Sequence, residues 1–132
     1  MVAGVHDAAA GAAITECLQA ALAAAGTLMT GDQRRKAAQR RVVAAANTEV
    51  QERGLLKQRA IAHAITAALQ ERGADELTAR LAADVGLLAF AIALDRWLAS
   101  DDSDPFAPQA AAALGELPTR LTELGPPTRL RR

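Results

Sequence analysis

A chain of 132 residues with 15 basic and 15 acidic side chains carries no formal net charge, which excludes the uniformly basic surface of a dedicated nucleic-acid binder and matches the size of one domain. It is 51% hydrophobic but only 2% aromatic, with Ala and Leu dominant, so helix formers prevail and sheet formation has little to build on. The fold class expected is all-α. Charge is distributed unevenly: residues 1–33 hold no Lys or Arg, 34–59 hold eight basic and two acidic side chains, and 75–116 hold eight acidic and two basic. The single Cys17 excludes an intramolecular disulfide. The N-terminus lacks the basic start of a signal peptide, and the longest uncharged apolar run in the central helix, Val85–Leu94, is too short for a membrane span, so a soluble cytoplasmic protein is expected.

The first helix is predicted from about Asp7 to Ala25, with Ile14, Leu18 and Leu22 repeating every four residues and Gly26 placed to end it. Cys17 lies beside that stripe and reads as a small buried hydrophobe rather than a reactive thiol. Thr30 and Gln33 form a capping-box pattern that opens a second helix through about Ala46. Arg34, Arg35, Lys36, Arg40 and Arg41 make it basic. Such a strip binds phosphate or simply faces water, and without interleaved aromatics the solvated face is favoured. Thr48 and Gln51 repeat the pattern and start a third helix to Arg72, with Gly73 as its C-cap. Its apolar stripe is Val50, Gly54, Ile61, Ile65, Ala68 and Leu69, and His63 lies away from it, beside Glu52, Leu56 and Arg59.

Asp75 caps the fourth helix, which carries two apolar faces. Leu77, Leu81, Val85, Leu88 and Ile92 fall within an arc of about 80°, and Leu87, Phe90, Leu94, Trp97 and Leu98 within roughly 100° on the far side. A surface helix needs one such face; two call for cover on both sides, one from the chain's own fold and one from a second copy. After a turn at 100–104, Asp104 and Pro105 make an N-cap and N1 pair for a last helix, which Pro118 interrupts and which can resume to Leu124. Residues 125–132 read as a disordered tail behind a helical domain spanning 1–124, a five-helix antiparallel bundle.

Catalytic patterns are missing from the sequence: it holds no Gly-rich phosphate loop, nucleophile elbow or H-E-x-x-H, and no His, Cys and carboxylate set with metal-ligand spacing. Neither an enzyme nor a bound metal or cofactor is expected. A helical bundle still holds small molecules between its helices, so a binding role stays open.

Arg40-Arg41-Val42-Val43, the Asn47-Thr48-Glu49 turn, Leu69-Gln70-Glu71-Arg72-Gly73 and Asp95-Arg96-Trp97-Leu98, in that order, resemble the C-terminal domain of TetR-type transcriptional regulators over roughly residues 10–124. The resemblance implies a ligand-sensing and dimerising domain whose last two long helices, here 75–100 and 105–124, pair with their copies in a four-helix bundle. It implies a homodimer, with Leu87, Leu94, Trp97, Leu98 and Phe106 at the subunit interface. A small apolar or amphipathic effector would lie among the first four helices, near Leu18, Met29, Val43, Leu56, His63 and Phe90. The family's helix-turn-helix head has no counterpart, because residues 1–33 lack any basic side chain, so operator DNA would be met only through a head that this chain does not carry. A second expectation, of another class, is a ligand-free helical bundle serving as a structural or protein-interaction module, its basic helix 34–46 docking an acidic partner. A closed, Ala-packed interior would favour that module; an elongated cavity would favour the sensor.

Overall fold

The computed structural model describes residues 4–5, 13–100 and 104–125, and among them it contains five helices and no strand. These are α1 (Ile14–Gly26), α2 (Gly31–Ala46), α3 (Thr48–Glu71), α4 (Glu76–Ala99) and α5 (Phe106–Glu123). The all-α expectation holds, and each helix matches a periodic segment. The proposed start of the first helix at Asp7 and the tail beyond Gly125 lie outside the described residues.

Helix ends explain most of the boundaries. Asn47 alone separates α2 from α3, and its side chain accepts from the Val50 backbone N–H at 3.2 Å, so it is Asn47 that caps α3, one residue before the predicted Thr48. Gln51 does not close a capping box; its Nε2 donates to the Ala44 carbonyl at 2.7 Å and satisfies the end of α2 instead. Thr30 precedes α2 as foreseen, but its side chain makes no cap hydrogen bond. At the other end of α3, Gly73 takes φ +101°. Its N–H bonds the Gln70 carbonyl at 2.9 Å and the Ala74 N–H bonds that of Leu69 at 3.1 Å, a Schellman closure that needs the left-handed residue a glycine supplies. Asp75 caps α4, accepting from the Thr78 N–H at 2.8 Å and hydroxyl at 3.0 Å. Pro118 does not break α5, which runs through it to Glu123. A proline removes one donor and strains one turn, and Leu114 and Leu117, in the turn before it, pack on the core and hold the helix up to that point.

Helix α4 is the centre of the bundle, in contact with α1, α3 and α5. Its buried line is Ala79, Ala82, Ala83, Gly86, Ala89, Ala93 and Trp97, which are small residues on one face except for the last. Small side chains let neighbouring backbones come close: a Cβ on Gly86 would stand 3.0 Å from Leu18 Cδ2 of α1. Ile65, Leu69, Leu22, Phe106 and Leu114 fill the remaining core from the surrounding helices. Phe106 packs edge-on against Trp97 and tilted against Phe90, with centroids 5.5 and 5.3 Å away.

The two apolar faces of α4 therefore part company in the fold. Phe90, Leu94 and Leu98 pack half-buried against the core and Leu87 is half-buried, whereas Leu77, Leu81 and Leu88 remain 78%, 55% and 50% exposed. The expectation that no segment approaches a membrane span needs correcting. By length and composition Glu76–Ala99 is one helix that could cross a bilayer, because an average over the helix tolerates the few charges at which an uncharged run stops. Its alanine face is packed inside the bundle.

Candidate functional site

Helix α3 joins the bundle only through its C-terminal half, where Ile65, Ala68 and Leu69 are buried. Every residue from 51 to 60 is exposed. The predicted stripe is thus correct for Ile61 onward, while Val50 and Gly54 at its head do not enter the core. As α3 leaves the core, an open groove of about 800 Å³ forms between it and α4. Leu55 and Leu87 supply its apolar surface, and Arg59, His63, Glu76, Arg80 and Asp84 its charged or titratable groups, with Gln58, Thr66 and Gln70 adding hydrogen-bonding capacity. Arg59, Arg80 and Asp84 enter no ion pair within the described residues, so they present their full bonding capacity to the groove. A smaller cleft of about 260 Å³ lies where α1 meets the α3–α4 turn, bordered by Ile14, Cys17, Leu69 and Arg72. Cys17 is buried beside it, in the packing role foreseen for it.

The basic helix α2 is divided in use. Arg34, 9% exposed, donates through Nη2 to the carbonyls of Leu98, at 3.3 Å, and Ser100, while its guanidinium carbon stands 5.5 Å from the Trp97 ring centroid. It closes the carboxyl end of α4, where unpaired carbonyls and the negative end of the helix dipole favour a cation. Arg41 pairs with Asp95 of α4, and Arg35 with Asp32 of its own helix. Arg34 and Arg41 therefore fasten α2 to α4 through charge-assisted contacts, a role for two members of the strip that differs from both a phosphate site and a bare solvated face. Trp97 is anchored in turn by Nε1–H donation to the Asp104 carbonyl at 2.9 Å.

The six residues expected around an effector are not brought together. Leu18 is core, packed on Gly86; Met29 and Phe90 are half-buried against that core; Val43 and Leu56 are exposed on α2 and α3. Only His63 lines the large groove. The interior that these residues were to enclose is instead filled by the alanine face of α4. Of the five residues expected between subunits, Trp97 and Phe106 are 2% and 1% exposed within the single chain, which corrects their assignment: the aromatic cluster is used up inside the fold. Leu87, Leu94 and Leu98 keep part of their surface. Sequence reasoning missed Arg59, Gln70, Arg80 and Asp84 as groove residues. The shared side of Arg59 and His63 was visible at helical spacing, but the edge of α4 facing them depends on the register of the α3–α4 hairpin.

Among the described residues no group of three or more His, Cys, Asp or Glu is placed to hold a metal ion. The Asp75 carboxyl is held below the usual carboxylate value by the Thr78 N–H, and further by the Thr78 hydroxyl. No protein-family model matches this chain, and no curated protein matches it significantly.

Proposed function

We propose that this chain is the effector-sensing and dimerisation domain of a TetR-like transcriptional regulator, acting in the cytoplasm. The observation that carries the reading is the leucine stripe of α4 left bare on a single chain, Leu77, Leu81 and Leu88, on the helix that this family's architecture pairs with a second subunit. The order of the motifs supports it too, since each falls on a helix or turn in the sequence that the resemblance implies. The effector's place is the α3–α4 groove. Its lining of two arginines, one histidine, two carboxylates and the leucines 55 and 87 suits an amphipathic molecule rather than a wholly apolar one. A ligand bridging α3 and α4 would couple to any partner held by the same helices, with coupling free energies of about 1–3 kcal/mol being usual.

A probe of that chemistry tests the reading. 8-Anilinonaphthalene-1-sulfonate, an amphipathic anion, is expected to bind saturably at one site per chain, and Arg59→Gln with Arg80→Gln to weaken it about tenfold, the loss of one or two charge-assisted hydrogen bonds. Absence of saturable binding would leave the second reading, a ligand-free interaction module. One observation favours that module: the interior is packed by alanine and holds no elongated cavity among the expected effector contacts.

A further inference from the structure

The groove between α3 and α4 changes character along its length. Counted outward from the α3–α4 turn, Glu76, Arg80, Asp84 and Leu87 follow one another on α4, and His63, Arg59 and Leu55 on α3. Charge therefore fills the inner part, and each wall ends in a leucine. Glu76, Arg80 and Asp84 stand at four-residue steps on one helix, yet none of them forms an ion pair among the described residues, and neither does Arg59 on the opposite wall.

The two arginines and two carboxylates cancel, and that balance decides the class of ligand. A plain anion on the arginines would face the carboxylates, and a plain cation would face the arginines; like charges brought together are unfavourable, whereas a molecule of both signs answers both. Position orders the signs. Arg59 lies one helical turn from Leu55 and Asp84 one turn from Leu87, so opposite charges stand on opposite walls at the inner edge of the apolar end. Along the α3 wall, Gln58, Thr66 and Gln70 add donors and acceptors of the kind that amides match. From Leu55 to Gln70 the wall runs about 22 Å at 1.5 Å per residue, the reach of roughly six extended residues.

We infer that the groove takes an amphipathic zwitterion, a short apolar peptide with free termini, its carboxylate on Arg59, its ammonium on Asp84 and its side chains along Leu55 and Leu87. The inference rests on the proposal that this groove is the effector's place, and it names the chemical class that the place selects. A free apolar amino acid shares the two charges and the apolar frame, but it brings no amide for the glutamines and Thr66. The leucines supply affinity, and the two charges fix which way the peptide lies.

Calorimetric titration of the intact chain and displacement of bound 8-anilinonaphthalene-1-sulfonate test it, with far-UV circular dichroism confirming that each variant stays helical. The probes are leucyl-alanyl-leucine, its N-acetyl form, its C-terminal amide, and free leucine. The free tripeptide is expected to bind saturably at one site per chain and to displace the dye. Acetylation should weaken it about tenfold in the wild type but not in Asp84→Asn, and amidation about tenfold in the wild type but not in Arg59→Gln. Dye binding with the three peptide forms equal, with a capped form tighter than the free one, or with no peptide bound overturns the zwitterion and leaves the groove standing as a site. Free leucine binding as tightly as the tripeptide overturns the peptide. Absence of both dye and peptide binding overturns the groove reading as well.

Discussion

Arg34 joins three parts of the molecule with one side chain: the start of α2, the carbonyls that end α4, and the indole of Trp97. Replacing it with Ala removes charge-assisted hydrogen bonds to part-buried carbonyls and the cation above the ring, and should lower stability by about 2–3 kcal/mol. Arg34→Lys, which keeps the charge but not the planar fork, should recover only part of that loss. Urea titrations followed by Trp97 emission read both, and an unchanged midpoint for Arg34→Ala would mean that α2 is held by other means. Trp97 is buried, so Trp97→Ala should cost about 3–5 kcal/mol. Asp75 gives a pH signature. Its folded pKa lies below the ordinary 3.8, so the cap stabilises fully above that value and its contribution is lost as pH falls through the folded pKa. Asp75→Ala should therefore melt earlier than wild type at neutral pH, with the gap closing in acid. A gap independent of pH would show that the carboxylate is not the capping group. The Asp75 cap was legible from its place before a periodic run. The role of Arg34 was not, because a carbonyl 64 residues away is invisible to local pattern.

At the scale of the element, α4 explains how a sequence with few large core residues still packs. Its alanine line admits neighbouring helices closely, and the density comes from backbone approach as much as from side-chain bulk. Ala89→Leu adds three heavy side-chain atoms at a fully buried position, and should destabilise by about 1–3 kcal/mol or more. Leu88→Gln, one residue away on the bare face, should leave the thermal stability of the monomeric state almost unchanged. Equal losses from both would mean that the helix is rotated from its described setting. This division was the least legible feature of the sequence. Hydrophobic periodicity ranks leucine above alanine and so marks the two leucine arcs of α4 as the faces to bury, whereas the fold buries the alanines between them. The same bias placed Trp97 and Phe106 outside, between subunits; in the structure they close the carboxyl end of α4 from within. Helix number, order and most ends were readable, since caps and glycines act locally; Pro118 was over-read, as one missing donor is a modest loss in a helix whose preceding turn, at Leu114 and Leu117, is packed on the core.

Across the whole molecule, the bare leucines and the open groove face outward from α3 and α4, and the proposed function rests on that surface. The open groove and the bare leucines share these two helices, so on the proposed reading occupancy of one would bear on the other. The claim on which the account depends is that α4 needs a second chain to cover its leucine stripe. Sedimentation equilibrium of the unmodified protein over a dilution series at physiological salt tests this most directly. The account predicts a mass of twice 13.7 kDa at micromolar concentration, falling reversibly to 13.7 kDa on dilution. A mass of 13.7 kDa throughout the series, with helix content unchanged, would contradict it.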